Sequence, residues 1–284
     1  MIDMITRRRL YAEEIQAVAN LKAPTVIDAL ATVERERFLP PGPWTIRSEA
    51  DLQAPARQTP DADPRHVYHN LAVAIDSSRL LFNGAPSVVA AAIDALAPAP
   101  GARILHVGTG LGYYTAVLAQ CVGPSGRVLG IEVDPELAVS ARANLAPLPW
   151  TEVRQGDATE RFGEVFDAIL VNAGVTHPLP HWLDALAPRG RLMMPLTATF
   201  GPHPIGKGPL LLISRTTGDH LSARFTGFVA IYSAIGVRDA GMNSILAQAF
   251  SEAPFASVKS LRRDVHDQDS MCWVHAPGFC LSME

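Results

Sequence analysis

Three glycines at alternate positions, Gly108, Gly110 and Gly112, constrain this chain more than any other feature of its sequence. A β-rich run at residues 103–107 precedes them, and a helical pattern at 113–121 follows. Glycine lets a backbone turn sharply and approach a ligand closely at the carboxyl end of a strand. The spacing is G-x-G-x-G rather than the G-x-G-x-x-G of dinucleotide-binding folds, and no Lys-Ser or Lys-Thr pair follows to hold a triphosphate. The loop therefore predicts a ligand-binding turn between a strand and a helix.

Short β-rich runs alternate with helical patterns from about residue 84 to residue 232. Such alternation indicates a largely parallel sheet, because parallel strands need crossovers and the crossover helices cover both faces of the sheet. The last two runs, 210–215 and 224–231, are joined by a turn at 216–219 with no helix between them. We therefore expect an α/β fold with an antiparallel hairpin at one sheet edge.

The rest of the chain flanks this core. The segment before it has helical spacing and then a stretch at 44–65 with scattered prolines, which reads as a loop or an irregular flap. The tail has one helical pattern, at 240–250, and two runs, 255–261 and 271–275, that are expected to pair as strands. The predicted regions are 1–83, a helical segment with a substrate flap; 84–232, the ligand-binding core; and 233–284, a helix and hairpin extension.

Composition narrows the class of protein. Hydrophobic residues make up 48% of the 284, which favours a packed core over disorder. The net charge of −4 gives no basic excess for nucleic acid, and the longest apolar run is too short to cross a bilayer. Three cysteines suit a reducing compartment. We expect a cytoplasmic protein without a nucleic-acid or membrane partner.

Two acids follow the glycine loop at informative positions. Glu132 ends the second strand, where a carboxylate can accept hydrogen bonds from both ribose hydroxyls. Asp157 lies in the turn Gly156-Asp157-Ala158 after the third strand, where it suits the exocyclic amine of a purine. Together with a glycine turn that lacks a pyrophosphate site, they describe S-adenosylmethionine. The alternatives are NAD or FAD, on fold analogy, and a turn that only packs helix against strand.

Longer motifs carry a family resemblance. Residues 104–116, ILHVGTGLGYYTA, resemble the first motif of class I methyltransferases, and most of all that of the protein-L-isoaspartate O-methyltransferase family, L-E-I-G-T-G-S-G-Y-x-T-A. The similarity continues through Gly156-Asp157, through FDAILVNA at 166–173 and through LAPRGRLMMP at 186–195, and VERERFLP at 33–40 resembles the family's V-P-R-E-x-F-V-P. The resemblance covers roughly residues 20–232. It implies a Rossmann-like, seven-stranded sheet, S-adenosylmethionine as methyl donor and a carboxyl group as acceptor.

The cofactor-binding residues predicted from the loop, the two acids and their neighbours are Gly108, Thr109, Gly110, Gly112, Tyr113, Glu132, Val133, Asp157, Ala158 and Asn172.

The chain departs from the family in the segment before the glycine strand. The family reads T-I-S-x-P-H there and its serine lines the acceptor carboxylate, whereas residues 82–87 read FNGAPS. Gly84 thus stands at the serine position and Ser87 at the histidine position. Asn83 or Ser87 replaces the lost hydroxyl donor in one interpretation, and in the other both only cap the following helix.

A carboxylate acceptor needs no general base, because it is already ionised at neutral pH. An amine or phenol acceptor would need one, and the candidates are His66, His69, His106 and His177. His106 lies inside the first strand, where a core imidazole is the favoured interpretation. His177 follows the fourth strand and either touches the acceptor or is a solvated loop residue. The predicted catalytic residues are Asn83, Ser87 and His177.

The sequence supports three functional hypotheses. The first is a methyltransferase that esterifies a carboxylate of a peptide, protein or small metabolite. The second keeps the donor but methylates N, O or S of a secondary metabolite, and the third is a cofactor-binding protein without turnover. For the oligomeric state, the hypothesis is a homodimer. His266, Cys272, His275 and Cys280 lack C-x2-C and H-x3-H spacing, so no metal site is predicted.

Overall fold

The structure is a computed structural model that describes residues 2–48, 54–201, 204–216, 218, 220–253 and 257–284. The chain divides into two units: Met1–Ala102 with Thr109–Gln155, and Arg103–Gly108 with Gly156–Glu284. The division falls within the glycine loop and does not coincide with the boundaries predicted near residues 83 and 232. The described helices include none with the length and the apolar composition that a bilayer crossing requires.

The first unit contains a cluster of helices. Asp3 caps the first of them by accepting a hydrogen bond from Thr6 N at 2.9 Å, and Pro24 and Pro86 begin the next two, where the missing N–H costs nothing. The helices are α1 (Met4–Ala19), α2 (Pro24–Thr32), α3 (Pro86–Leu96), α4 (Tyr113–Val122) and α5 (Pro135–Leu145), with short 3-10 turns at Arg35–Phe38 and Pro64–Val67. α1 packs on α2 and α3, and α2 packs on α4.

The same unit holds two sets of strands. One is an antiparallel sheet in the order β2-β1-β3-β4. The other is the parallel pair β6 and β7, against which α5 packs. The strands are β1 (Thr45–Arg47), β2 (Arg57–Gln58), β3 (Ala72–Asp76), β4 (Leu81–Phe82), β6 (Arg127–Glu132) and β7 (Thr151–Gln155), and β5 belongs to the second unit.

The prediction of an irregular flap at 44–65 is therefore wrong in part. β1 and β2 lie within that range, and the buried Ile46 pairs with Val73 of β3. A buried β-branched residue with a strand partner outweighs the turn signal of the nearby prolines. Residues 49–53 of the flap lie outside the described residues.

The second unit is built around a mixed sheet. Its described strands are hydrogen-bonded in the order β13-β14-β12-β11-β10-β9-β8-β5. β8 runs parallel to both β5 and β9, and β10 and β11 form the expected antiparallel hairpin. The elements are β5 (Arg103–Val107), β8 (Phe166–Val171), α6 (Pro180–Asp184), β9 (Leu186–Pro195), β10 (Ile205–Arg215), β11 (Leu221–Tyr232), α7 (Ala240–Glu252), β12 (Ser260–Arg262), β13 (Cys272–Ala276) and β14 (Phe279–Ser282).

The described part of this unit alone has eight strands in one sheet, three of them from the tail, so the sheet extends beyond the seven strands implied by the resemblance. The tail adds the extra strands by pairing Ser260 and Leu261 with the free edge of β11. The predicted pairing of the runs 255–261 and 271–275 is also wrong, since β14 lies between β12 and β13 and pairs with both. Residues 255 and 256 lie outside the described residues, as do Thr217 and Asp219 of the turn between β10 and β11.

His106 lies in β5 and is fully buried, as the core interpretation expects. Burial lowers the pKa of its imidazole from 6.5 to about 3. In the unfolded chain the ring takes up a proton as the pH falls below 6.5, whereas the folded protein resists protonation down to about pH 3. The free energy of unfolding is therefore unaffected by His106 above pH 6.5 and falls as the pH is lowered through this window.

We expect His106→Gln to flatten this dependence. Between about pH 7 and pH 5 the wild type should lose about 2 kcal/mol more unfolding free energy than the variant, since one proton contributes about 1.4 kcal/mol per pH unit. Urea unfolding at both pH values measures the difference. His220→Gln, at an exposed position, is the matched control and should behave as the wild type. Parallel pH dependence of His106→Gln and wild type would contradict the assignment.

Candidate active site

The glycine loop turns through left-handed backbone. The φ angles are +80° at Gly108, +57° at Gly110 and +97° at Gly112, a region that side chains with a Cβ rarely adopt. Gly112 N donates to Thr109 O at 3.0 Å, and Gly112 is the N-cap residue of α4 without a side-chain cap. The sequence therefore places glycine where the backbone conformation requires it, and the loop delivers the chain into the helix.

Glu132 binds the part of the glycine loop that belongs to the first unit. Glu132 lies at the end of β6 and is 6% exposed, and its Oε2 accepts a hydrogen bond from Gly110 N at 2.7 Å. Oε1 accepts from Asp134 N at 3.1 Å. Burial raises the pKa of this carboxyl group, and the backbone hydrogen bonds oppose the rise. Each carboxylate oxygen has a second lone pair, so Glu132 retains the capacity to accept from two hydroxyls.

The loop residue Thr109 has a structural contact as well. Its Oγ1 donates to Ile131 O at 3.2 Å, and a Cβ on Gly130 would lie 2.7 Å from that Oγ1. Thr109 is 5% exposed, whereas Val133, directly after the acid, is 36% exposed. Of the two side chains, only that of Val133 is at the surface.

Tyr113 differs from its expected role. Its side chain is 2% exposed, its hydroxyl lies 3.2 Å from that of Tyr11, and the Arg35 guanidinium lies 5.6 Å from its ring centroid. The ring thus belongs to the core of the first unit. Only the backbone of Tyr113, at the start of α4, is left as a group that can meet a cofactor.

The remaining cofactor candidates lie in the second unit. Asn172 N donates to Val107 O at 2.8 Å, and a Cβ on Gly108 would lie 3.3 Å from Asn172 O, so glycine permits this close approach. Asp157 Oδ1 accepts from Thr159 N at 2.9 Å. The Ala158 carbonyl accepts from the indole of Trp182 at 3.1 Å and lies 2.9 Å from His181 Nε2. These contacts fix the acid-bearing turn after β7.

The C-terminal extension contacts this turn directly. Gly236 has a φ of +84°, and a Cβ built on it would lie 2.2 Å from Asp157 Oδ2. Arg238 anchors the extension to the loops that follow β8 and β9, and it also contacts α7 of the extension itself. Its guanidinium donates to Gly174 O at 3.2 Å, Thr197 Oγ1 and O at 3.0 Å each, and Asn243 Oδ1 at 2.7 Å.

His177 lies in the same loop and is half-buried. Its Nδ1 is 2.9 Å from Thr176 Oγ1, which also accepts from Asp239 N at 3.1 Å. Burial lowers the pKa of His177, and the charge of Asp239 opposes the shift. The neutral imidazole is therefore favoured at neutral pH.

The acceptor segment predicted at 82–87 belongs to the first unit. Gly84 has a φ of +67°, so the serine of the family pattern would be strained in this backbone conformation. The alternative in which Asn83 and Ser87 cap α3 is not realised: the N-cap residue is Ala85, and Ser87 N donates to Asn70 Oδ1 at 2.9 Å. Asn70 therefore satisfies a first-turn amide that a cap would otherwise serve.

Arg35, which binds Asn83 of the acceptor segment, is a residue whose role the sequence did not predict. It lies in the motif at 33–40 and is 0% exposed, although arginine is almost never fully buried. In the sequence, only its place in the motif at 33–40 could have indicated this role. Its guanidinium donates to Val67 O at 2.6 Å, His69 O at 3.2 Å, Leu71 O at 2.7 Å and Asn83 Oδ1 at 3.1 Å. Arg35 thus orients the amide of Asn83.

Each unit brings part of the predicted set together. The first joins Gly110 to Glu132 and holds Asn83 through Arg35, and the second joins Gly108 to Asn172 and Asp157 to the extension. A buried carboxylate with lone pairs to spare beside a glycine turn fits an adenosine ligand.

Comparisons with known proteins identify the family of this chain. A family model described as Protein-L-isoaspartate(D-aspartate) O-methyltransferase matches residues 7–202. A protein-L-isoaspartate O-methyltransferase of Methylorubrum extorquens is 34% identical over 234 residues, covering 80% of this chain and 89% of the relative. Protein-L-isoaspartate O-methyltransferase 1 of Rhodopseudomonas palustris is 33% identical over 253 residues, 87% of this chain and 89% of the relative.

Solved structures show the same fold. A protein-L-isoaspartate O-methyltransferase aligns with a TM-score of 0.63 at 18% identity, covering 86% of this chain and 69% of that one. A putative protein-L-isoaspartate O-methyltransferase from Plasmodium falciparum, in complex with S-adenosyl-L-homocysteine, aligns with a TM-score of 0.59 at 17% identity, covering 80% and 97%.

The Rossmann-like fold and the resemblance predicted from the glycine loop are thereby confirmed. The chain belongs to the protein-L-isoaspartate(D-aspartate) O-methyltransferase family, and it is an S-adenosylmethionine-dependent methyltransferase.

Proposed function

We propose that this protein methylates the α-carboxylate exposed at isoaspartyl residues of proteins or peptides, since the β-carboxyl group of such a residue is part of the main-chain amide bond. Membership of the family supports the reaction, and the names of the relatives supply the acceptor class. The hydrogen bond between Gly110 N and Glu132 Oε2 is the observation that carries the donor half of the proposal, because it keeps a buried carboxylate next to the glycine turn.

The cofactor, when bound, supplies a methyl group on a sulfonium sulfur. We propose that Glu132 accepts from its ribose hydroxyls and that Asp157 accepts from its adenine amine. Val133 and Ala158 then contact the nucleoside beside these acids, and the backbone of Gly108, Thr109, Gly110, Gly112 and Tyr113, with Asn172, surrounds the remainder. Tyr113 contributes no side-chain contact in this assignment, since its ring is buried against Arg35.

Methyl transfer to a carboxylate places few chemical demands on the protein. The acceptor oxygen is already ionised at neutral pH. It forms a bond to the methyl carbon as the bond between that carbon and the sulfonium sulfur breaks. The sulfur keeps the electron pair of the broken bond, so the leaving group is a neutral thioether. No proton has to move. The protein's task is to align oxygen, carbon and sulfur, and such orientation is worth roughly 7 to 11 kcal/mol.

We propose that the acceptor is oriented by Asn83, Ser87 and His177. Arg35 holds Asn83 Oδ1, so the amide NH2 is the donor that Asn83 presents to a carboxylate. The Ser87 hydroxyl is the second donor and takes the place of the family's serine, which the left-handed backbone at Gly84 disfavours. His177 contacts the acceptor without abstracting a proton.

The finer predictions from the sequence remain hypotheses. They are the cytoplasmic location, the homodimer, the absence of a nucleic-acid partner and the division of roles among 1–83, 84–232 and 233–284. A small-molecule carboxylate is a less favoured acceptor than a peptide, because the names of the relatives specify protein isoaspartate.

The direct test is methylation of a peptide containing one isoaspartyl residue. We expect labelled methyl incorporation that is released as methanol in mild alkali, as a methyl ester requires, and none into the same peptide with normal aspartate. An alkali-stable product would contradict carboxylate methylation. Ester formation on the normal peptide alone would contradict the isoaspartyl acceptor.

The same assay examines the acceptor residues. Ser87→Ala and Asn83→Ala should lower kcat/KM for the peptide by roughly 10- to 150-fold each, which corresponds to the roughly 1.5 to 3 kcal/mol of one hydrogen bond to a charged group. Affinity for S-adenosylhomocysteine should stay unchanged, which separates the acceptor role from a folding defect. His177→Asn should lower kcat/KM by less than about 100-fold, because loss of a general base would lower it by roughly 100-fold or more.

Glu132→Ala should weaken binding of S-adenosylhomocysteine by about 1 to 3 kcal/mol, roughly 5- to 150-fold in Kd. The change removes the acceptor for Gly110 N as well as the proposed ribose contact. Isothermal titration calorimetry measures the affinity, and Glu136→Ala, four residues on and exposed, is the matched control. Equal affinities for the two variants would refute the ribose assignment.

We further propose that the extension holds Asp157 in position, and Gly236→Ala tests this. A methyl group 2.2 Å from Asp157 Oδ2 has to displace the carboxylate, so donor affinity should fall about as far as in Asp157→Ala. Gly201→Ala is the matched control, because its φ of +85° is similar and no described atom lies within 4 Å of its Cβ position. Equal donor affinities of Gly236→Ala and Gly201→Ala in calorimetry would contradict the role proposed for the extension.

A further inference from the structure

Four side chains near the C-terminus form a cluster outside the site described above. They are His266, Cys272, His275 and Cys280, and one ligand atom of each, a thiol sulfur or a ring nitrogen, lies within 4.8 Å of all the others. Two sulfurs and two nitrogens are the donor set of many structural zinc sites. The methyltransferase chemistry makes no use of any of them.

Strand pairing explains why the spacing in the sequence concealed this cluster. β13 and β14 pair antiparallel with His275 opposite Cys280. Side chains three apart on a regular strand point to opposite faces, which would separate Cys272 from His275. A register shift between Cys272 and Val274 interrupts that alternation. The expectation of no metal rested on separations along the chain, whereas the hairpin and its irregularity determine separations in space.

The distances suit a tetrahedral ion. Cys272 Sγ lies 3.7 Å from His266 Nε2, and the rings of His266 and His275 are 4.8 Å apart between centroids. Zinc bonds of about 2.3 Å to sulfur and about 2.0 Å to nitrogen place tetrahedral ligand atoms roughly 3.3 to 3.8 Å apart. Contraction of the largest separation, 4.8 Å, by about 1 to 1.5 Å would complete the coordination sphere.

The surroundings of both histidines suit coordination. His266 Nδ1 lies 3.0 Å from the carbonyl oxygen of Asp264, so it can donate its proton there and leave Nε2 free to face the sulfur of Cys272. An outer hydrogen bond of this kind is the usual support of a metal-bound imidazole. His275 Nδ1 is buried and has no hydrogen-bond partner among the described residues. Coordination through that nitrogen would supply the missing partner.

The geometry points to a structural zinc site formed by His266, Cys272, His275 and Cys280, a metal site additional to the methyl-transfer site. Four protein ligands leave no open position for a substrate, so the ion acts as a cross-link and not as a catalyst. It joins the hairpin β13–β14 to the segment that precedes it and so stabilises the last strands of the second unit. Soft thiolates with imidazoles favour zinc over magnesium, calcium or manganese.

The test uses the full-length protein, reduced and freed of metal, and titrated with Zn2+ and with Co2+. We expect about one ion per chain by elemental analysis, as a four-ligand site requires. The Co2+ form should show the visible bands of tetrahedral cobalt together with thiolate-to-cobalt charge transfer, which requires sulfur ligands. Uptake of neither ion by the reduced wild type overturns the proposal, as does a cobalt spectrum without charge transfer.

Variants locate the ligands. Cys272→Ser with Cys280→Ser, and His266→Ala with His275→Ala, should reduce stoichiometry from about one ion to near zero. Cys121→Ser and His220→Ala, which alter a cysteine and a histidine outside the cluster, should retain it. Binding of S-adenosylhomocysteine by each variant reports that the donor site is still folded. Full stoichiometry in either double variant contradicts the site. The site is also contradicted if Cys272 and Cys280 form a disulfide and the protein takes up no metal after this disulfide is reduced.

Discussion

A buried carboxylate at the end of β6 determines the shape of the glycine turn in the proposed donor site. Glu132 accepts from the amide of Gly110 and from that of Asp134, so it fixes the glycine turn from one side and the start of α5 from the other. Removing a carboxylate from water is costly, and the two amides offset that cost. The same group keeps lone pairs for a ligand, so one residue both organises the loop and presents an acceptor.

The proposed acceptor segment depends on a different buried charge. Arg35 donates to three backbone carbonyls and to Asn83, and it lies over the rings of Tyr11 and Tyr113. These contacts tie the segment around 67–71 to the motif at 33–40 and set the orientation of Asn83. The departure from the family pattern at Gly84 fits this arrangement. Its left-handed backbone suits glycine, and we propose that Asn83 and Ser87 take over the role of the family's hydroxyl.

The extension after β11 is integrated with the second unit at several points. Gly236 packs on the carboxylate of Asp157, Arg238 binds the loop after β8, and Trp273 contacts Phe225 of β11 and Phe250 of α7. Its strands continue the sheet from the edge of β11. A cross-link among His266, Cys272, His275 and Cys280 would secure the end of this assembly, where β12 to β14 are only 3 to 5 residues long.

The sequence by itself determined the features that depend on local order along the chain. A glycine turn between a strand and a helix, an acid at the end of the next strand and a hairpin without a crossover all follow from residues that are close in sequence, and the family follows from the same motifs. Tertiary structure decided the rest, because the contacts join residues far apart in the chain. It buried Tyr113 and Arg35 together, gave the helix-capping role to Asn70, and placed Gly236 on Asp157. The β13–β14 register likewise gathered two cysteines and two histidines whose spacing indicated no site, because a cluster of ligands is defined by distance in space and not by separation along the chain.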